Sequence, residues 1–441
     1  MLMETLRLKD NSTHIKNAFH PVKGIVERIA DKTLDQLEKY GIFVFPDSVK
    51  NAEDLTKDQM ILKSSNNCYE LGNVMGFLGY KNERLTIESR FTKNQQDYFL
   101  QYMLEKVMHV PNVLDLNTTA NQDNRLFNLL LFMLPYYLKK AMRKGILKTY
   151  INRKYNDANP TGTVDIARHI KENTPFIGNI AHTKRELSYD NNLMELIRHT
   201  IEFIKHRPNG HVLLGKVRNE VHSVHDVTNG YSPREKAKIL QLNKKKLITH
   251  AYYHEYRDLQ KLCIMILEHE KHQFGSGNRR VHGIFFDGAW LWEEYINTLI
   301  EDKFYHPMNK GGKGAQRLFS TDSSQIGLIY PDFISKDDEN CIIADTKYKP
   351  IGNIGNKDYL QVLAYMFRFD AKKGYYIYPD KNGTVDLQMK LNQSSTYEKN
   401  VAERGDVEVT KCGLKIPQDA ESYEDFVVKM EESKRCLCLK F

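Results

Sequence analysis

The chain has 441 residues, 41% of them hydrophobic and 27% charged, which fits a globular protein of two or three domains and excludes a fibrous or disordered chain. A formal net charge of +8 permits contact with nucleic acid without requiring it. Six scattered cysteines, Cys68, Cys263, Cys341, Cys412, Cys436 and Cys438, show no disulfide framework and point to a reducing cytoplasm.

The opening segment, MLMETLRLKDNSTH, carries no apolar signal region. Residues 1 to about 40 read as helical and polar, with Ile25, Ile29, Leu34 and Leu37 at helical spacing. A strand is expected at 41–45, closed by Pro46-Asp47. Residues 69–89 read as β structure with Gly72, Gly76 and Gly79 as bends. No G-x-x-x-x-G-K-[ST] loop occurs anywhere in the chain, so nucleoside triphosphate hydrolysis would have to come from a partner. Helices are expected across 95–150. One buries Phe99, Tyr102, Met103 and Val107; a second covers about 121–144 and ends in Lys139, Lys140, Arg143, Lys144 and Lys148, a solvated, dipole-favoured cluster. The apolar run 126–138 is too short to span a membrane.

Strand-like residues after 149 lead into the turn Asn159-Pro160-Thr161-Gly162. An amphipathic helix with Leu193, Leu196, Ile197, Ile201 and Ile204 on its apolar face then follows Asp190, read as its N-cap. Lys244, Lys245 and Lys246 read as a solvated face. The pairs His222/His225 and His269/His272 lack a glutamate at metalloprotease spacing and read as surface histidines. Cys436 and Cys438 form a lone C-x-C, which without a second ligand pair argues against zinc.

The last third carries the chemistry. Residues 285–300 read as a helix burying Trp290, Leu291, Ile296 and Leu299, with Glu293 and Glu294 among the apolar residues. The glycine-rich basic stretch 303–324 reads either as a loop over a DNA backbone or as a plain connector. A strand at 327–335, a polar turn at 336–340 and a returning strand at 341–347 make a hairpin that brings Asp332 beside Asp345. Asp345 and Lys347 are two apart and leave the same face, while Ile342 and Ala344 point into a core. Two carboxylates and a lysine in the pattern PD-x12-D-x-K suit a hard divalent cation, Mg²⁺ with Mn²⁺ as the alternative. Such an ion polarises a phosphate and acidifies a water, and the lysine orients that water or holds transition-state charge. Thr346 is a further candidate ligand through its carbonyl, its side chain being expected to face away. The D-x-K at Asp370-Ala371-Lys372 has no Pro-Asp arm before it. A helix over 356–369 presents Gln361 and Tyr365 one turn apart, a strand follows at 374–379, and weak strands and a charged helix close the chain.

Glu293, Pro331-Asp332, Asp345-Thr346-Lys347 and Gln361-x-x-x-Tyr365 together resemble the PD-(D/E)xK nuclease superfamily. The D-T-K-Y-K variant with its Q-x-x-x-Y helix is similar to McrC, the nuclease component of McrBC-type restriction systems. LWEEYI at 291–296, GTVDI at 162–166 and SYDNNLMELIRHTIEFI at 188–204 extend the likeness over about 145–380. The resemblance implies an α/β (α+β overall) fold: an N-terminal mixed α/β region, then a PD-(D/E)xK nuclease domain with a central mixed β-sheet flanked by helices. It also implies an N-terminal partner-interaction region at 1–150, a mostly helical middle region at 151–280 and the nuclease domain at 281–441. Its functional implication is a cytoplasmic Mg²⁺-dependent endonuclease for double-stranded DNA in an anti-phage system. That enzyme would stimulate a McrB-like AAA+ GTPase ring and would have no membrane contact, with nuclease-domain dimerisation one route to double-strand cleavage. Asp332, Asp345, Thr346 and Glu293 would hold the metal, with Lys347, Gln361 and Tyr365 completing the site. A catalytically silent regulatory subunit and an RNA-directed nuclease are the alternatives.

Overall fold

Val74–Tyr80 is a strand without a polar face: of its seven residues only Phe77 is not fully buried. It therefore has to be central, paired on both edges. The computed structural model describes residues 4–39, 42–45, 60–93, 98–107, 122–207, 210–273, 282–307, 314–337, 339–393 and 402–440. Contacts divide the chain into two units, Met1–Pro111 with Gly277–Phe441, and Asn112–Ser276.

In the first unit Val74–Tyr80 pairs antiparallel with Glu83–Glu88 on one edge and with His282–Asp287 on the other. Glu4–Lys9 adds parallel to Glu83–Glu88, and Ile42–Phe45 parallel to His282–Asp287, giving five strands. The helical reading of 1–40 holds for Lys23–Ile29 and Leu34–Lys39, where Ile25, Ile29, Leu34 and Leu37 are buried. It fails for residues 4–15, which hold the strands Glu4–Lys9 and Thr13–Ile15. Leu6 and Leu8 alternate with charged residues at period two, and both pack on the core cluster beneath the sheet. Gly76 and Gly79 lie inside a strand rather than at bends. Gly76 has φ +150°, and a Cβ there would sit 2.1 Å from the carbonyl oxygen of Ile284. Phe285, Phe286 and Asp287 belong to strand rather than helix, and the helix begins at Gly288 with the Asp287 carboxylate accepting from Ala289 N at 2.9 Å.

The same unit holds a six-stranded mixed sheet in the order Phe304–Tyr305, Phe333–Ser335, Ile342–Thr346, Lys373–Asp380, Ala402–Lys415, Leu387–Gln393. Ile342–Thr346 runs parallel to Lys373–Asp380, which runs parallel to Ala402–Lys415; the other pairings are antiparallel. The parallel crossover is made by the helix Asn356–Arg368, whose Val362, Tyr365 and Met366 are buried in a cluster with Ile343, Tyr376 and Tyr378. Tyr423–Cys438 is the closing charged helix, and Ser422 caps it. The expected strand 327–335 is interrupted. Gln325–Ile329 pairs with Gln316–Ser320 in a separate hairpin, and the sheet resumes only at Phe333. Pro331 has no N–H to give a ladder, which accounts for the break. Residues 308–313, the glycine-rich part of 303–324, lie outside the described residues.

In the second unit, the antiparallel strands Thr149–Asp157 and Ile180–Ser188 form a three-stranded sheet with Thr163–Val164. The helix Asn192–Lys205 buries Leu193, Leu196, Ile197, Ile201 and Ile204 as expected. Its cap is Asn191, not Asp190: Asn191 Oδ1 accepts from Leu193 N and Met194 N. The Asp190 carboxylate instead accepts from Gly230 N at 2.9 Å. Lys244, Lys245 and Lys246 are exposed, Lys244 pairing with Glu268, and His222 is exposed while His225 faces Glu202. The side chains of His269 and His272 lie outside the described residues. Among the described residues no helix is long and apolar enough to cross a membrane.

Replacing Gly76 with Ala should cost about 2 kcal/mol or more, because the added carbon meets rigid backbone rather than a movable side chain. Urea unfolding of Gly76→Ala against wild type reads this; an unchanged midpoint would mean that the two strands can part without cost.

Candidate active site

The register Phe333↔Ala344 in the antiparallel pair places Asp332 across from Asp345, where the strand Ile342–Thr346 ends. Asp332 Oδ2 accepts two hydrogen bonds from Thr346, from its N and its Oγ1, each 2.8 Å long. The threonine side chain thus meets Asp332 instead of facing away as the sequence suggested. Asp345 is 1% exposed, and Lys347 Nζ stands 2.6 Å from its Oδ2. That oxygen is buried, so the pair is a charged contact held away from solvent.

The helix Asn356–Arg368 closes the other side of the lysine. Lys347 Nζ donates to Gln361 Oε1 at 3.2 Å, and Gln361 Nε2 donates to the Tyr365 hydroxyl at 2.7 Å. The i, i+4 spacing lets the amide bridge from the phenol to the ammonium. One turn earlier on the same helix, Asp358 lies 3.9 Å from Lys347 and takes a two-pronged contact from Lys349 at 2.7 and 2.8 Å. It also accepts from Gly355 N at 2.9 Å, capping its own helix. Asp358 was not picked out from the sequence, although the 358, 361, 365 periodicity marks it as a neighbour of Gln361 and Tyr365.

Glu293 lies on the helix Gly288–Ile300 and acts on Asp332 electrostatically. His306 bridges the two: Nδ1 donates to the Asp332 carbonyl at 2.9 Å, and Nε2 is 3.6 Å from Glu293 and 4.0 Å from Glu294. The ring stacks on Phe333 with centroids 4.8 Å apart. No local pattern flags His306, because only the pairing of Phe304–Tyr305 with Phe333–Ser335 brings it here. Asp370 and Lys372, the second D-x-K, pair with each other on the surface.

Burial pushes both carboxyls up. Asp332 rises to about 6, with Glu293 adding to the shift and Lys347 opposing it. Asp345 rises to about 7, with Lys347 again opposing and Asp332 adding. Burial works against the Lys347 charge, but Asp345 and Asp332 outweigh it and hold the ammonium well above the ordinary lysine range. Burial likewise disfavours charge on His306, yet Glu294 and Glu293 bring it up to about 9. The centre is therefore a pair of reluctant carboxylates facing a firmly protonated lysine. Such a donor set is short of positive charge and made of hard oxygen, which fits a divalent cation held by two protein carboxylates with water and phosphate filling the other positions. No group of three or more His, Cys, Asp or Glu able to hold a metal occurs among the described residues.

The family described as McrBC 5-methylcytosine restriction system component matches residues 69–379. The chain belongs to this family. The matched span contains Glu293, Asp332, Asp345, Lys347, Gln361 and Tyr365, and it bears out the resemblance to McrC drawn from the sequence. No curated protein matches the chain. Among solved structures, the chain is similar at 14% identity to a chain of the refined half-complex from the tetradecameric assembly of Thermococcus gammatolerans McrB AAA+ hexamers with bound McrC. That likeness covers 99% of this chain and 100% of the other, with a TM-score of 0.48. A chain of the Thermococcus gammatolerans McrBC complex determined by cryo-EM is 13% identical over 67% of this chain and 87% of its own, with a TM-score of 0.31. Likenesses this weak carry no inference about this member of the family.

Asp358→Asn should lower stability by about 1 kcal/mol at neutral pH through loss of the helix cap and the lysine contact. The Asp358 carboxyl is held below its usual range by Lys349, Gly355 N and Lys347, despite the opposing effect of its burial. Its contribution is therefore present above the unfolded carboxyl pKa and lost as pH falls through the folded one. Denaturant curves should show a gap between wild type and variant at pH 7 that closes as pH falls below the ordinary carboxyl range.

Proposed function

We propose that this chain is the Mg²⁺-dependent DNA endonuclease component of a McrBC-type restriction system, built on a PD-(D/E)xK nuclease core. The observation that carries the reading is the convergence of Asp332, Asp345 and Lys347 at the end of one central strand, with Gln361 and Tyr365 behind the lysine. Asp332 and Asp345 would hold the ion, with the Thr346 carbonyl as an added ligand and Glu293 acting through water. Mg²⁺, or Mn²⁺ in its place, would supply Lewis-acid polarisation of the scissile phosphate and an acidified water.

The chain's own residues supply the rest. Lys347 is held protonated, so it does not serve as a base near neutral pH. It donates hydrogen bonds, orienting the attacking water and stabilising charge on the phosphate oxygens. Gln361 fixes the ammonium from one side while Asp345 fixes it from the other. Asp332, doubly bonded to Thr346, is pinned in orientation. The family description and the resemblance support a DNA substrate, a modified cytosine as recognition mark and a McrB-like AAA+ GTPase partner. In this reading residues 1–150 face the partner, 151–280 form a mostly helical middle region and 281–441 carry out cleavage.

The test is cleavage of methylated and unmethylated duplex DNA by the full chain with its AAA+ partner. Asp345→Ala and Lys347→Ala should each lower cleavage by about 10²-fold or more while leaving nucleotide hydrolysis by the partner stimulated. Lys347→Ala should still fold, because two buried carboxyls that lose their cation can take up protons instead of remaining charged. Unchanged cleavage in both variants rejects the assignment, and equal activity on RNA redirects it.

Metal binding gives an independent check. With carboxyl pKa values near 6 and 7, protons compete with the cation, so Mg²⁺ or Mn²⁺ affinity should rise steadily between about pH 5.5 and 8. Calorimetric titration of wild type and Asp345→Asn reads this: the wild-type slope should be steep and the variant should bind little at any pH.

A further inference from the structure

The residue after the lysine is held in an unusual way. Tyr348 is 5% exposed. Its hydroxyl lies 2.7 Å from Ser89 Oγ and 3.3 Å from Met75 Sδ, and its ring meets Phe91 edge-on with centroids 4.9 Å apart. The Arg90 guanidinium covers that ring at 4.8 Å, and Arg90 Nη2 donates to the Tyr348 carbonyl and, at 3.0 Å, to Asn73 Oδ1. Arg90 is itself pinned. Its N donates to Asp10 Oδ1 at 2.6 Å, and its Nη1 stands 3.4 Å from Asp10 Oδ2. A Cβ on Gly288 would come within 2.7 Å of the tyrosine ring, so the start of that helix also abuts it.

Residues at the ends of Glu4–Lys9 and Glu83–Glu88 and at the start of Val74–Tyr80 thus close on one tyrosine just past the strand Ile342–Thr346. Packing alone would need only the ring. The grip on the carbonyl and the hydroxyl instead fixes the peptide next to Lys347. On the other side, Lys347 N donates to the Ile377 carbonyl at 3.0 Å, and Trp292 Nε1 donates to the same oxygen at 3.1 Å.

We infer that Tyr348 is a positioning residue through which the amino-terminal five-stranded sheet sets the Lys347 ammonium against Asp345. The inference rests on the reading of Lys347 as the lysine of the cleavage site. A misplacement of about 1 Å at such a group is enough to cost about 10²-fold in rate.

The variants are Tyr348→Phe, which removes only the hydroxyl, and Arg90→Lys, which keeps the charge but loses the fork. Each is made in the full chain. Brief acylation of lysines with acetic anhydride, read by peptide mass spectrometry, measures how well Lys347 is held, with exposed Lys372 as the internal standard. Lys411 is the control for general loosening, being 4% exposed and bonded to Ile354 O and the Tyr359 hydroxyl. Labelling of Lys347 should rise several-fold in both variants while Lys411 stays protected. In cleavage assays with the AAA+ partner, kcat should fall about 10-fold with KM for DNA unchanged. Equal labelling of Lys347 in variants and wild type, or a parallel rise at Lys411, overturns the inference. Wild-type cleavage by Lys347→Ala would instead overturn the site reading, and the labelling result would still report whether Tyr348 positions the lysine.

Discussion

Two carboxylates that resist ionisation are held side by side by one half-buried ammonium. Burial raises the pKa of both, Glu293 adds to the rise at Asp332, and Asp332 adds to the rise at Asp345. Lys347 opposes this, and its own charge is secured by the same two groups. Breaking a buried pair of this kind by removing one partner typically costs about 3–5 kcal/mol, so the arrangement is kept only where the surroundings over-determine it. Here they do. Thr346 orients one carboxylate, Gln361 and Tyr365 back the lysine, and the Ile377 carbonyl anchors the lysine's backbone.

The scaffolding for this centre comes from widely separated stretches of chain. The five-stranded sheet takes its strands from 4–9, 42–45, 74–80 and 83–88, and completes its pairing only with 282–287. The helix that follows at once, Gly288–Ile300, carries Glu293 and Trp292 toward the six-stranded sheet. A helix capped by the last residue of one sheet's strand, and bonded through its indole to a strand of the other, fixes Glu293 relative to both. The Tyr348 contacts with Ser89 and Arg90 do the same for the lysine.

The protonation states narrow the chemistry. A lysine held charged can donate and neutralise but cannot abstract a proton, so under the proposed reading activation of water would come from elsewhere in the centre. Carboxyls raised in this way would, under the proposed reading, exchange protons for a cation. His306, held charged by Glu293 and Glu294, sets a positive group beside those two carboxylates, although Glu293 still raises Asp332.

Much of the centre could be read from the sequence because its parts repeat at short range. Asp345 and Lys347 share a strand face at period two, and Gln361 and Tyr365 share a helix face at i, i+4. The Pro-Asp arm was expected inside one strand over 327–335, and the structure breaks that strand there. Local periodicity also marked the buried faces of Tyr98–Val107 and Asn192–Lys205. It misled where strand and helix patterns overlap, as at residues 4–15 and at Phe285 and Phe286, since a short apolar run fits either period until a partner strand is found. What tertiary structure alone decided is whatever depends on contacts across long separations. Such contacts put His306 under Asp332, turned the Thr346 side chain onto that carboxylate, and seated Tyr348 among the ends of the amino-terminal strands. Spacing along a chain fixes which side chains share a face, but which faces meet depends on burial and pairing summed over the whole unit.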